Sequence, residues 1–317
     1  MSIIHKHIFI LILLIFSLVS CSSGGDGGSK KITGPTYSGL STQALITSTN
    51  SQQVSISGTD GSSKAVGSEN ANSANPFSPL GVVASDSGKL PTADIAKLTI
   101  EIAQKAMAQS INLPAGLTIT AEQLNAESGE NNFCGGSVTV PNDVSFDGMS
   151  YDITMTFNDL CFTDFVNPPV YLDGSMRMMS DGSTTTVIYD DLVITMDGQS
   201  HTMNATISCD MSGTVCYTDF KGSDGKTYRF AELSVSGDDT SGYTVTGTFF
   251  HPSFGSMELA TTSPITFNCT GPQPDAGELS LTGSGGSNAT ITFMGCSGYS
   301  YCFDDTVNPP ECQAGLW

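Results

Sequence analysis

Apolar and polar residues alternate along most of the chain after Phe133. A short pattern recurs five times, as "TMTF", "TVIY", "TYRF", "PITF" and "TITF", ending at Phe157, Tyr189, Phe230, Phe267 and Phe293. In each copy the last residue and the one two before it are apolar, and in four of the five copies the residue between them is polar. Such period-two alternation predicts strands of a sheet with one buried and one wet face.

The spacing of these copies predicts a repeated hairpin. Successive copies lie 32, 41, 37 and 26 residues apart, which leaves room for two strands and their turns each time. The first three copies continue alike, as "FNDL", "YDDL" and "FAEL". A repeated unit with one apolar face must stack on its neighbours to bury that face. The expected fold is all-β, an antiparallel meander of repeated hairpins (curved sheet or barrel), disulfide-stapled, with one N-terminal helix.

A nonapeptide also occurs twice, as "CFTDFVNPP" from Cys161 and "CFDDTVNPP" from Cys302. Consecutive prolines remove two amide donors and force the residue before them into an extended conformation. Each copy follows a signature strand and should end strand pairing and bend the chain. We therefore interpret the two nonapeptides as corresponding loops of a duplicated unit, pinned by their cysteines.

The region before the strands divides into three segments. Residues 1–20 form a signal peptide, and residues 21–90, rich in Ser and Gly, are predicted to be a disordered tether, because they contain too little apolar surface to offset ordering entropy. Residues 91–130 are predicted to be helical, with an apolar stripe at Ile95, Leu98, Ile102 and Ala106 that packs on the body. A second, weaker capping box pairs Thr120 with Gln123. Residues 131–317 form the β-repeat domain.

The N-terminus predicts export and lipidation. An apolar run from Ile8 to Phe16 has the length of a secretory h-region and is followed by Leu18-Val19-Ser20-Cys21. These residues resemble the lipobox of bacterial lipoproteins. The resemblance implies cleavage before Cys21, a diacylglycerol thioether on its sulfur and an N-acyl chain such as palmitate. Ser22, where an aspartate causes inner-membrane retention in that class, implies the outer membrane, with the periplasmic or surface face left open.

The other cysteines favour disulfides. The chain has 9 cysteines, and eight remain when Cys21 is set aside: Cys134, Cys161, Cys209, Cys216, Cys269, Cys296, Cys302 and Cys312. An even set in an exported chain predicts four disulfides, whose connectivity the sequence leaves open. Cys209 and Cys216 are close enough in sequence to staple a hairpin, and the last three cysteines are expected to share a terminal knot.

The charge of the chain limits its partners. The formal net charge is -20, and removal of Lys6 with the signal peptide leaves 10 basic against 31 acidic residues. Such a surface repels nucleic acid, so nucleic-acid binding is excluded as a function. The expected partners are the membrane, through the lipid anchor, and an unidentified protein or small apolar ligand.

Acidic side chains in the nonapeptides suggest a calcium site as an alternative to the structural interpretation. The candidate ligands are hard oxygen donors, which Ca²⁺ prefers: Asp164, Asn167, Asp304, Asp305, Asn308 and Glu311. Their spacing does not match an EF-hand loop. No other cofactor is expected.

Candidate catalytic groups are few. The mature chain has two histidines, His201 in an expected strand and His251 in an expected exposed turn, with no nucleophile motif beside either. We therefore expect no enzyme. The default function is a non-enzymatic binding or envelope-structural module. The first alternative is a carrier of an apolar ligand such as a lipid, held on a sheet face rich in Met and aromatic residues that include Met176 and Met178. A hydrolytic enzyme is the last alternative.

Overall fold

The computed structural model describes residues 32–66, 99, 102, 117–128, 132–140, 145–147, 150–163, 169–196, 199–210, 216–222, 224–238, 240–269, 274–304 and 309–316. The strands in chain order are β1 Leu117–Thr120, β2 Phe133–Val140, β3 Ser145–Asp147, β4 Ser150–Phe162, β5 Val170–Asp181, β6 Thr184–Met196, β7 Gln199–Asp210, β8 Cys216–Lys221, β9 Thr227–Asp238, β10 Gly242–His251, β11 Gly255–Thr266, β12 Ala276–Thr282, β13 Asn288–Phe293, β14 Gly298–Asp304 and β15 Glu311–Leu316. Helix α1 spans Ser51–Val66, and helix α2 spans Ala121–Ser128.

The strands form one sheet in which every strand from β4 onward pairs antiparallel with the strand that follows it. β2 pairs with β1 and β4, and the short β3 pairs with β4 alone. The sheet is curved and does not close on itself. The expected antiparallel meander is therefore confirmed, as a curved sheet.

The signature residues define the inner face of this sheet. Tyr189 and Phe230 are buried, as are Met155, Phe157, Val187, Tyr228, Ile265, Ile291 and Phe293. The residues between them, such as Arg229, point to the opposite face, which we call the outer face. The alternation predicted from the sequence thus describes the inner face correctly. Phe267 is partly buried against the same core.

An acidic residue in the first three copies sits in a bulge. Asp159, Asp191 and Glu232 are the described non-glycine residues with positive φ, at 47°, 51° and 54°. A Cβ on Gly136 or Gly174 would lie 2.1 Å or 2.5 Å from the carbonyl oxygen of Asp159 or Asp191, so only glycine fits opposite these two bulges. Bulges bend a strand and increase its twist, which curves the sheet.

The inner face carries two hydrophobic cores. The N-terminal half, β1 to β7 with α2, encloses one core that also includes the helical residue Ile102. The C-terminal half, β8 to β15, encloses the other, which includes Val54 of α1. The cores meet at the β7–β8 hairpin, where Cys209 is linked to Cys216.

The expected helical features of residues 91–130 are found where they can be described. Ile102 is helical and 1% exposed, which confirms that the predicted stripe packs on the body at this position. Ile95, Leu98 and Ala106 lie outside the described residues. The capping box is confirmed, because Thr120 N donates to Gln123 Oε1 and Gln123 N donates to Thr120 Oγ1. Residues 117–120, however, form strand β1.

The prediction of a tether over residues 21–90 is wrong for residues 32–66. Residues 32–46, which we call the strap, begin on the outer face, and Ala44 and Ile46 at their end are buried in the same core as Val54. Helix α1 packs against β9, β10, β12, β13 and β14 on the inner face. Hydropathy missed both elements, because the strap buries only isolated apolar residues, such as Ile32 and Ile46, between polar ones, and α1 buries mainly serine and glycine. The rest of the predicted tether lies outside the described residues.

The nonapeptides correspond only in part. Because the strands alternate in direction, β4 and β14 run the same way. Both nonapeptides therefore begin at the same end of the strands. Cys161, however, lies on a signature strand and links back to Cys134 on β2, whereas Cys302 lies on the strand after one and links forward to Cys312 on β15. The prediction of two equivalent pinned bends is therefore wrong in detail.

Candidate functional site

A floor of aromatic rings covers the inner face where β8, β9 and β10 meet. Phe220 stacks on Phe230 with ring centroids 5.5 Å apart, and Tyr228 stacks on Phe249 at the same separation. Phe230 and Phe249 lie 5.3 Å apart, which joins the two stacks. We call Phe220, Tyr228, Phe230 and Phe249 the aromatic floor. Each ring alternates along its strand with a residue of the outer face. The alternation of side chains in neighbouring strands therefore places all four rings on the same face of the sheet.

Helix α1 covers this floor with unusually small side chains. Except for Val54 and Thr59, the residues that it buries are serine or glycine, and most of them recur at helical spacing: Ser51, Val54, Ser55, Ser57, Gly58, Thr59, Gly61 and Ser62. A Cβ on Gly61 would lie 3.1 Å from the rings of both Phe230 and Phe249. The missing side chain therefore lets the helix backbone rest almost directly on the floor.

Two buried polar atoms, one on α1 and one beside the floor ring Tyr228, have no hydrogen-bond partner in the described part of the chain. Ser55 Oγ is one, on the buried stripe of α1, and His251 Nε2 is the other, at the end of β10. A buried donor or acceptor without a partner costs about 1–3 kcal/mol. Native interiors contain few such groups. Ser55 Oγ therefore leaves a polar group unpaired at the interface between α1 and the sheet, and His251 Nε2 leaves another at the adjoining end of the floor.

His251 is buried, which makes the expectation of an exposed turn histidine wrong. The ring stacks on Phe254 with centroids 4.3 Å apart and meets the edge of Tyr228. Ser253 N donates to His251 Nδ1 over 3.0 Å, so the neutral ring carries its proton on Nε2. Burial, together with the charge of Lys226, lowers the pKa of His251 to about 4. His251 is therefore an uncharged hydrogen-bond donor at neutral pH.

A polar group lies at the same end of the floor. Tyr228 Oη donates to Asp224 Oδ2 over 3.0 Å and lies 3.2 Å from Ser57 Oγ of α1. Lys226 Nζ donates to the same carboxylate oxygen over 2.7 Å. Burial raises the pKa of the Tyr228 phenol. The site thus combines an apolar floor with hydroxyl and imidazole groups at one end. Such a site can contact the apolar part of an amphiphile with the floor and its polar part with the hydroxyl and imidazole groups.

The strap fixes the outer face behind this site. Arg229 donates to both carboxylate oxygens of Asp219, over 2.6 Å and 2.8 Å, and Tyr37 N donates to Asp219 Oδ2. The guanidinium lies between the rings of Tyr37 and Tyr217, 5.2 Å and 5.0 Å from their centroids. Desolvation raises the pKa of Tyr37 to about 12. Tyr37 Oη also donates to the His251 carbonyl, which connects the strap to the site.

The strap spans both halves of the sheet. Arg177 on β5 donates to the Ile32 carbonyl and pairs with Asp152. Gly34 then passes Ile188 and Thr206 so closely that a Cβ there would lie 2.7 Å and 2.3 Å from their side chains. Farther along, Ala44 N donates to the Ser256 carbonyl on β11. The segment therefore bridges the junction between the two cores.

The calcium site remains a prediction. Asp164, Asn167, Asp305 and Asn308 lie outside the described residues. Asp304 ends β14 and Glu311 begins β15, where Glu311 faces Phe303 across the ladder. In the part of the chain that the structure describes, no group of three or more His, Cys, Asp or Glu side chains is placed to hold a metal ion.

The eight cysteines form four disulfides, as expected. The pairs are Cys134–Cys161, Cys209–Cys216, Cys269–Cys296 and Cys302–Cys312. The hairpin staple at Cys209 is confirmed, whereas Cys296 pairs with Cys269 and so leaves the expected terminal knot. His201 lies on β7, opposite Ile194, which agrees with its expected strand position. Cys21 lies outside the described residues.

Sequence reasoning missed α1, the strap and the inward position of His251. The available signal was a stripe of small residues at helical spacing, which carries no contrast in hydropathy. No family model, curated protein or solved structure matches the chain. Within the described residues, no helix is both long and apolar enough to cross a bilayer.

Proposed function

We propose that the chain is an exported lipoprotein, anchored to the outer membrane through acyl chains on Cys21, whose body is a non-enzymatic binding or envelope-structural module. One observation carries the anchoring. The four disulfides use all the cysteines except Cys21, so the residue at the lipobox position is the only one of the 9 left for another modification. Disulfides of this density fit an oxidising compartment.

The strap limits how far the body stands from such an anchor. Ten residues separate Cys21 from Ile32, whose carbonyl is already held on β5 by Arg177. A fully extended chain advances about 3.5 Å per residue, so Ile32 lies within about 40 Å of the anchored cysteine. In the described part of the chain the contacts nearest to Cys21 in sequence are on the outer face, and we propose that this face is the one nearer the membrane.

Metabolic labelling with an alkyne-tagged palmitate tests the anchor. The wild-type chain should acquire the label and sediment with outer membranes, whereas Cys21→Ala should lose both the label and the membrane association. Ser22→Asp serves as the matched control, because it should keep the label and move the protein to the inner membrane. A Cys21→Ala chain that is still labelled, or an unlabelled wild type, would contradict the proposal.

A second candidate function is a carrier of an apolar ligand, favoured by the aromatic floor. Four stacked rings provide an extended apolar surface, and the helix over them supplies little hydrophobic contact of its own. Saturable uptake of a fluorescent fatty acid by the purified chain tests this candidate, and absence of uptake would leave the structural module as the proposal.

A further inference from the structure

We propose that α1 is a displaceable lid over the aromatic floor, and that the floor beneath it binds the acyl chain of an amphiphile whose head accepts a hydrogen bond from His251. This inference rests on the second candidate function and assigns its site. It does not depend on lipidation of Cys21.

The first argument is the composition of the α1 interface. Burying apolar side chains is the main favourable term in helix docking, and α1 buries Val54 and Thr59 among serines and glycines. Ser55 Oγ is buried there without a partner, while water would satisfy it in an undocked helix. Docking of α1 is therefore weakly driven by comparison with the strands.

The second argument is that α1 can leave without exposing an apolar helix face to water. Its opposite side carries exposed Gln52 and Gln53 with a single exposed Ile56. Helix α1 also contains five serines and two glycines among 16 residues, which makes it a weak helix in isolation. The apolar surface at this interface belongs mainly to the sheet, so a ligand that covers the floor can replace the helix.

The third argument is that the strap holds one end of α1. Ile46 N donates to Ser287 Oγ, and Ala44 accepts from Ser284 N. The turn that follows is closed by Thr47 and Asn50, through a bond of 2.7 Å from Thr47 N to Asn50 Oδ1. These contacts belong to the turn and the sheet rim, not to the floor. Helix α1 can therefore pivot about residues 47–50 while the strap stays in place.

The nature of the ligand follows from the groups that the floor presents. Stacked rings suit an acyl chain, which needs no hydrogen bonds along its length. The His251 Nε2–H donor is buried at the end of the floor and lacks an acceptor among the described residues. A carboxylate, ester or amide head supplies that acceptor, and the Ser57–Tyr228 contact at the same end opens when the lid moves.

A cross-link between α1 and the sheet tests the lid. The sulfur of a cysteine at position 281 would lie near the present Leu281 Cγ, which is 3.3 Å from an added Cβ at Gly58. This is close to the distance between the Cβ of one cysteine and the sulfur of its partner in a disulfide. We would prepare the full mature chain with Cys21→Ser and Gly58→Cys/Leu281→Cys, and confirm the new disulfide by peptide mapping. Gly58→Ser/Leu281→Ser is the matched control, with similar volume and no cross-link.

Binding of cis-parinaric acid, followed by its fluorescence, is the measurement. The cross-linked chain should bind at least about tenfold more weakly than the serine control, because a locked lid removes the competent state. Gly61→Leu, which forces a side chain against Phe230 and Phe249, should open the lid and bind more tightly than wild type. His251→Phe keeps a ring in place and should weaken binding of the acid by about threefold or more, since one charge-assisted hydrogen bond is lost.

The outcomes separate the lid proposal from the carrier function. Equal binding by the cross-linked chain and its serine control would overturn the lid and leave the carrier function standing with its site elsewhere. Saturable binding by neither the wild type nor Gly61→Leu would overturn both. Binding unchanged by His251→Phe would overturn the placement of the head group.

Discussion

The core of the N-terminal half of the sheet is mainly aliphatic and rich in methionine, whereas the core of the C-terminal half contains many more aromatic rings among its aliphatic side chains. Met155, Met176, Met178 and Met203 are buried in the first core, and nine tyrosine or phenylalanine rings are buried in the second. The helical residue Ile102 reaches the first core with an apolar side chain, but α1 meets the second with serine and glycine. In the second core, rings of the sheet fill the space that the missing side chain of Gly61 leaves.

The difference shows that two halves built from equivalent strands can hold their helices by different contacts. Helix α2 packs Ala121 and Leu124 on the first core, so apolar surface is buried on both sides of that interface. A small polar helix on an aromatic floor is held mainly by the sheet side, so the two halves should differ in how easily their helices come away. The following predictions test that contrast, beginning with the largest effect.

Truncation of a floor ring should have the largest effect. Phe230→Ala removes a ring that is 1% exposed and touches two other rings, and should lower the free energy of unfolding by about 4 kcal/mol. Met176→Leu in the other half should cost less than about 1.5 kcal/mol, because it conserves volume. Urea denaturation followed by tyrosine fluorescence measures both. A loss for Phe230→Ala no larger than that for the volume-conserving Met176→Leu would show that the floor rings contribute little to stability.

The two arginine–aspartate pairs should lose different amounts of stability when the arginine is replaced. In the pair Arg229–Asp219 the carboxylate is the buried partner, with a side chain 5% exposed, whereas in Arg177–Asp152 the guanidinium is buried at 7% and the carboxylate is 43% exposed. Arg229→Gln strands a buried anion and should cost about 3 kcal/mol, while Arg177→Gln leaves a hydrated carboxylate and should cost about 1 kcal/mol.

Urea denaturation at pH 7 measures both variants, with Asp152→Asn as the control. That change strands the buried Arg177 cation and should cost more than Arg177→Gln does. A smaller loss for Arg229→Gln than for Arg177→Gln, or for Asp152→Asn than for Arg177→Gln, would show that exposure of the remaining partner does not decide the cost.

Acid should weaken the C-terminal half through His251. Its pKa in the folded chain is about 4 against 6.5 in the unfolded chain, so protons bind preferentially to the unfolded state between these values. The free energy of unfolding should therefore be constant above pH 6.5 as far as His251 is concerned. It should fall by an amount on the order of 2 kcal/mol as the pH drops towards 4.

His251→Asn is the matched variant for this acid effect. Its amide oxygen can still accept from Ser253 N, but the side chain does not titrate. The variant should be less stable at every pH because the ring contact with Phe254 is lost, and its pH dependence over this window should be flatter. A slope equal to that of the wild type would assign the acid effect to the carboxylates.

Removal of single tyrosine hydroxyls should have the smallest effect. Tyr189 Oη lies 2.9 Å from Thr99 Oγ1 in the first core, and Tyr228 Oη contacts Ser57 of α1 and Asp224 at the rim. Tyr189→Phe should cost about 1 kcal/mol, the usual net value of a buried hydrogen bond. Tyr228→Phe should cost less than this, since Asp224 keeps Lys226 and water as partners. Thermal unfolding of the two variants measures the difference.

Much of the sheet could be predicted because its information is local. The signature strands, the alternation at Tyr189 and the capping box at Thr120 each depend on neighbours within a few residues. The acidic bulges were visible as repeated letters, but their positive φ depends on glycines of adjacent strands. The strap could not be predicted, because its partners, such as Asp219, lie 182 residues away in the chain.

The candidate site was accessible only in part. The aromatic residues of the floor follow from period-two alternation, yet nothing local shows that Gly61 would lie on them. The hydropathy of α1 is as polar as that of a linker, so composition predicted a tether. His251 was placed in an exposed turn because Pro252 follows it, whereas the ring packs against Phe254 and Tyr228.

By itself the sequence determined the strand periodicity, the antiparallel meander and the existence of four disulfides, because these depend on short-range patterns and on the number of cysteines. The tertiary structure alone decided which cysteines pair, that the sheet stays open, and that a serine- and glycine-rich segment covers an aromatic floor. The physical reason is that complementarity of size between a helix and a sheet is a property of the pair. Neither sequence segment carries it alone.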